Sequence, residues 1–140
     1  MRYDRPLKWY TAFFKDAQSH QLKGEMTHSY LWDKYAAKTI YRFNPNIKIL
    51  AVLRNPVDQI LSRHLHFIQY GGRRQIPLEK SLDLTRCVQL LYYNHLKRYF
   101  DLFPRENIKV AFYDDLVKDN ISFLKTSQNF YMLNLLFHEP

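Results

Sequence analysis

The chain has one cysteine, three glycines and no apolar run near the roughly 20 residues that cross a bilayer as a helix. Each scarcity excludes something. With Cys87 alone, an intrachain disulfide and a thiolate-built metal cluster are both ruled out, and Cys87 reads as a small buried apolar group. Gly24 stands by itself, and Gly71-Gly72 is followed by Arg73 and Arg74, not by a Lys-Ser/Thr pair opening a helix, so no glycine-rich phosphate loop is legible. The opening "MRYDRPLKWY" lacks the apolar segment of a secretion signal, so a soluble, cytoplasmic protein without a membrane span is expected. With no repeat, low-complexity tract or linker, residues 1–140 read as a single domain, short for a complete two-substrate enzyme.

Acidic residues are also in short supply. Thirteen Asp and Glu face 21 Lys and Arg, a net charge of +8. That balance suits an anionic partner such as a nucleotide, a nucleic acid, a sulfated or phosphorylated glycan or a membrane surface, and it equally suits a well-solvated basic surface.

Apolar spacing predicts helices near the start (Leu7, Tyr10, Phe13, Phe14, Ala17), over 33–43, from Pro56 to about residue 70, over 84–103 and from Asn120 onward. "IKILAVL" and "NIKVAF" read as strands, the first without polar alternation, as in a strand covered on both faces. The expected fold is α/β, a partial P-loop-like parallel sheet flanked by helices and lacking the phosphate-loop strand–helix unit.

One junction stands out. In "IKILAVLRNPVDQILSR" an apolar strand ends at Arg54; Asn55 is a good N-cap, Pro56 suits the first helical position, and Asp58 falls in the first turn. Val57, Ile60, Leu61, His64, Leu65 and Ile68 then form the stripe expected to face the core. Ligands of open α/β sheets gather beyond the carboxyl ends of strands, where helix N-termini favour anions. A guanidinium grips a phosphate through paired hydrogen bonds. Ser62 lies almost two turns beyond Asn55, about 10 Å along the axis, on nearly the same side of the helix. Arg54 and Ser62 can thus converge on one phosphate; equally, Arg54 could pair with Asp58 or Asp114 while Ser62 stays a plain surface serine.

"KILAVLRNPVDQILSRH" resembles the 3′-phosphate-binding segment of sulfotransferases that use 3′-phosphoadenosine 5′-phosphosulfate (PAPS), especially the bacterial and heparan-sulfate type. "LKWYTAFF", "GEMTHSYL" and "YYNHLKRYFDLFPRENIKVAFYDDLVKD" resemble further family segments in the family's order, so the likeness runs over roughly residues 5–125. It implies that Arg54 and Ser62 hold the 3′-phosphate of PAPS or of its product PAP (3′-phosphoadenosine 5′-phosphate). It also implies sulfuryl transfer to a hydroxyl or amino group of a carbohydrate-like acceptor, without a metal. The family's Pro-Lys-x-Gly-Thr-Thr loop and catalytic glutamate belong ahead of the Trp-Tyr helix and are not found here, and the sequence drifts from the family's ending after Leu124. An interrupted reading frame, half a nucleotide site, little unaided catalysis and no identified catalytic residue are therefore expected.

Lower-ranked candidates remain. Glu25 either orients the acceptor or is structural; Thr27 and Ser29 either line the acceptor pocket or cap the next helix; Met26 and His28 depart from the family's Lys and Pro. His66 shares Ser62's side of the helix and either meets the acceptor or is solvated, whereas His64 is expected in the core. His28, His64 and His66 share no zinc-ligand spacing. "GGRRQ" could meet an acidic glycan or be a solvated turn, and Asp114 and Asp115 read as an acidic helix start, not a metal site. The competing functional class, a basic aromatic-rich module that binds nucleic acid, is weakened by Tyr and Phe falling at core spacing within helices.

Overall fold

The computed structural model describes residues 6–70, 77–81 and 87–131. The "GGRRQ" loop, residues 82–86 with the first three positions of the helix expected over 84–103, and the final nine residues lie outside the described ones. In chain order the elements are α1 (Leu7–Thr11), α2 (Ala36–Phe43), β1 (Ile49–Leu53), α3 (Pro56–Tyr70), α4 (Leu78–Ser81), α5 (Tyr92–Phe100), β2 (Ile108–Phe112), α6 (Tyr113–Lys118) and α7 (Asn120–Tyr131). Short 3₁₀ turns precede α5 and β2 and follow α1.

β1 and β2 pair in parallel, with Ile49 opposite Ile108 and Leu53 opposite Phe112. The fold is thus α/β, a short parallel sheet flanked by helices, as the element order favoured. Behind it Ala37, Tyr99, Phe103 and Ile108 form the buried cluster, with Leu31, Ile40, Ile47, Ile49, Leu102 and Val110 packed around it. Two alanines at the start of α2 let that helix approach closely, since both Ala36 and Ala37 are buried. Phe103 meets Tyr41 edge-on at 5.3 Å between ring centroids and stacks with Tyr99 at 6.2 Å. Lys48, just before β1, donates to the Phe130 carbonyl at 2.6 Å, and Lys109 of β2 donates to the Thr126 carbonyl at 2.8 Å. Two cations thereby tie the sheet to the C-terminal half of the described part of α7.

The helix starts follow from local side chains. Asn55 Oδ1 accepts from the Val57 amide at 2.9 Å and fixes the entry into α3, a cap of the kind that contributes about 1 kcal/mol. Asp119 Oδ1 does the same for α7 through the Ser122 amide at 2.9 Å. Three expectations need correction. The helix expected over 84–103 is interrupted: Leu91 (φ −76°, ψ 62°) separates the Val88–Leu90 turn from α5. Thr27 and Ser29 cap no helix, because α2 begins only at Ala36, and Asp33 Oδ1 makes the turn into it by accepting from the Tyr35 amide at 2.8 Å. The stripe on α3 is not a core stripe throughout. Ile60, His64 and Ile68 are half-buried, but Val57, Leu61 and Leu65 are exposed. The two described strands cover only part of that helix's apolar surface.

Tyr99 joins the core to the loop before α2 by donating from its hydroxyl to the Tyr30 carbonyl at 2.6 Å. Burial pushes the Tyr99 phenol from 10.0 up to about 12. An unfolded tyrosine releases its proton near pH 10, while the folded protein keeps it to about pH 12. Above about pH 10 the unfolded state therefore binds fewer protons, and stability is expected to fall as pH rises through this window. Denaturant midpoints measured from about pH 9 to about pH 12 should show that slope, shallower in Tyr99→Phe.

Candidate functional site

A shallow open groove of about 490 Å³ runs from the carboxyl end of β1 along α3, lined by Arg54, Asp58, Leu61, Ser62, Leu65, His66, Gln69 and Tyr70. The helical repeat explains the set: Asp58, Ser62, His66 and Tyr70 recur every four residues, and Leu61, Leu65 and Gln69 form the neighbouring row. At one end of the groove stand Arg54 and the first turn of α3. At the other, His66 and Tyr70 pair with ring centroids 4.8 Å apart.

Arg54 is half-buried. Among the described residues no carboxylate pairs with it, neither Asp58 nor Asp114. Its guanidinium instead lies over the Tyr113 ring, 4.9 Å from the centroid. The parallel register accounts for this partner: Leu53 opposite Phe112 brings the following residues, Arg54 and Tyr113, out of the sheet side by side. The Arg54 carbonyl accepts from the Tyr92 hydroxyl at 3.0 Å, and the same hydroxyl touches the Gln59 side-chain amide. Burial raises the Tyr92 pKa, which keeps that hydroxyl a neutral donor. Arg63 Nη2 donates to Gln89 Oε1 at 2.8 Å and ties α3 to the turn ahead of α5.

The structure therefore gathers Arg54, Ser62 and His66 around one groove and leaves Glu25, Thr27 and Ser29 off it. Glu25 accepts a hydrogen bond from the Tyr30 hydroxyl. Tyr10 is the second tyrosine beside it: burial, then the Glu25 charge and a hydrogen bond to it, push the Tyr10 phenol up to about 12. The same causes hold Tyr30 well above its ordinary range. Glu25 is thus engaged by the tyrosines that anchor its own loop. Tyr92 and the Leu61/Leu65 wall were missed from sequence because their helical spacing reads as core, and Tyr113 because it falls where the second strand gives way to an acidic turn. Only the strand register, which spacing cannot give, sets Tyr113 beside Arg54. Among the described residues no cluster of three His, Cys, Asp or Glu could hold a metal, and no helix is long and apolar enough to cross a membrane.

Asp58 adds a negative charge to the groove wall. It favours the N-terminal turn of α3 and repels an anion approaching Arg54. Asp58→Asn is accordingly expected to tighten binding of a phosphate-bearing ligand by about two- to fourfold at low salt, the gain shrinking as ionic strength rises. Titration at two salt concentrations checks this.

The carboxyl end of a parallel strand with a helix start beside it is the place where open α/β sheets gather ligands and where helix N-termini favour anions. The chain belongs to the sulfotransferase family: residues 5–137 match the family described as "Sulfotransferase domain". It is similar to human heparan sulfate glucosamine 3-O-sulfotransferase 5, at 23% identity over 146 aligned positions covering 95% of this chain and 42% of the relative. It is also similar to mouse heparan sulfate glucosamine 3-O-sulfotransferase 6, at 27% identity over 128 positions covering 84% of this chain and 37% of the relative. The crystal structure of a sulfotransferase from Alicyclobacillus acidocaldarius superposes with a TM-score of 0.81 at 25% identity, covering 97% of this chain and 63% of that one. The chain spans about two-fifths of the length of the curated relatives it matches.

Proposed function

We propose that residues 1–140 form one partial sulfotransferase domain in which Arg54 and Ser62 bind the 3′-phosphate of PAPS or PAP. The domain would serve sulfuryl transfer to a hydroxyl or amino group of a carbohydrate-like acceptor. One observation carries the reading: Arg54, unpaired with any described carboxylate, opens with Ser62 onto a single groove at the carboxyl end of β1. The activity for which the heparan sulfate relatives are named supports a glycan acceptor, and the family membership argues against a nucleic-acid module.

Within this reading the acceptor approaches along the groove toward His66 and Tyr70, an aromatic pair suited to a sugar ring. Glu25, Thr27 and Ser29 are acceptor-side residues by resemblance only. No general base is assigned. Sulfuryl transfer requires charge to be stabilised on the leaving phosphate, and the 140 residues contain no glycine-rich loop to do it. The chain is therefore expected to bind PAP yet not to turn over PAPS unaided.

Calorimetric titration with PAP tests the assignment. Saturable binding is expected, weakened about tenfold by Ser62→Ala, the loss of one hydrogen bond to a charged group. If Arg54→Ala and Ser62→Ala both bind PAP like the unaltered chain, the 3′-phosphate assignment is wrong. Tight, salt-sensitive RNA binding in the absence of PAP binding would restore the nucleic-acid alternative.

A further inference from the structure

Resting on the nucleotide site just proposed, we infer that Tyr113 and Tyr92 are positioning residues that hold Arg54 ready for an anion, one through its guanidinium and the other through its backbone. Tyr113 leaves β2 beside Arg54 because of the strand register, and the guanidinium carbon lies 4.9 Å from its ring centroid. A guanidinium stacked on an aromatic ring keeps its in-plane N–H donors free. A carboxylate in that place would occupy the same donors and cancel the charge. Asp114, one residue further on, makes no ion pair with Arg54. The ring at position 113 therefore restrains the arginine without neutralising it.

The backbone is held from the other side. Tyr92, first residue of α5, donates to the Arg54 carbonyl at 3.0 Å and contacts Gln59 in the first turn of α3. One hydroxyl thus fastens the short link between β1 and α3 from which Arg54 projects. A free arginine loses side-chain entropy when it captures a ligand, whereas one already stacked and anchored has lost much of it beforehand.

The test is a set of titrations on the full chain with PAP and, as a probe lacking the 3′-phosphate, adenosine 5′-phosphate. Tyr113→Leu is expected to weaken PAP about three- to tenfold and to leave adenosine 5′-phosphate unchanged. Tyr113→Phe, which keeps the ring, should bind PAP as the unaltered chain does. In an Arg54→Ala background, Tyr113→Leu should have no further effect, because its action passes through Arg54. Tyr92→Phe should weaken PAP alone, about fivefold, through the lost bond to the Arg54 carbonyl.

A second readout needs no ligand. The Arg54 Nε–H resonance should be displaced by the Tyr113 ring current and should lose that displacement in Tyr113→Leu. The inference is overturned if Tyr113→Leu binds PAP like the unaltered chain, if its loss persists undiminished in the Arg54→Ala background, or if the resonance does not move. Should Arg54→Ala itself leave PAP binding intact, it is the 3′-phosphate assignment that fails. A loss with Arg54→Ala but none with either tyrosine variant defeats the positioning role alone.

Discussion

Arg54→Ala is expected to weaken PAP binding on the order of 100-fold. On the proposed 3′-phosphate assignment the substitution removes two charge-assisted hydrogen bonds to a phosphate, each contributing roughly 1.5–3 kcal/mol, while tenfold in affinity corresponds to about 1.4 kcal/mol. Taking the lower end, about 3 kcal/mol in total, allows for the shallow, solvent-open groove, where screening reduces charge interactions. Arg54→Lys should recover only part of the loss, since an ammonium supplies the charge without the paired geometry. Neither change should disturb folding, because the Arg54 side chain contacts a ring and not the core cluster. Calorimetry with PAP, beside thermal unfolding of the same samples, separates the two effects.

Phe103→Ala is expected to be the most damaging single change to stability, costing about 3–5 kcal/mol. Phe103 is 4% exposed and lies in the cluster with Ala37, Tyr99 and Ile108. It also meets Tyr41 and Tyr99 ring to ring. Truncation would leave a cavity among α2, α5 and the start of β2, around which neighbours relax only in part. For a domain of marginal stability such a loss is a large fraction of the whole. Denaturant unfolding should show a much lower midpoint with little change in slope, whereas Val57→Ala, at a residue 64% exposed, should shift it little.

The junction between β1 and α3 was legible because every residue there agreed with one outcome. An apolar run of strand type, a capping Asn, a Pro fit for the first helical turn and an acid beside it all point to a strand feeding a helix. Parallel pairing followed from element order alone. What periodicity could not supply was the width of cover over each element. The stripe from Val57 to Leu65 has helical spacing, yet part of it borders the groove, because spacing states which residues share a face and not what lies opposite. Tyr113, next after the strand run "NIKVAF", drew no reading from sequence, although the register makes it the partner of Arg54. Thr27 and Ser29 looked like caps because small polar residues precede a helical pattern. The turn at Asp33 intervened, and its hydrogen bonds set the start of α2 instead.

A crystal structure of the chain with PAP is the most direct measurement of the central claim. It should place the 3′-phosphate oxygens within hydrogen-bonding distance of both the Arg54 guanidinium and the Ser62 hydroxyl, with Tyr113 still beneath the arginine. Density for the nucleotide at another surface, with Arg54 and Ser62 contacting no phosphate, would contradict the account.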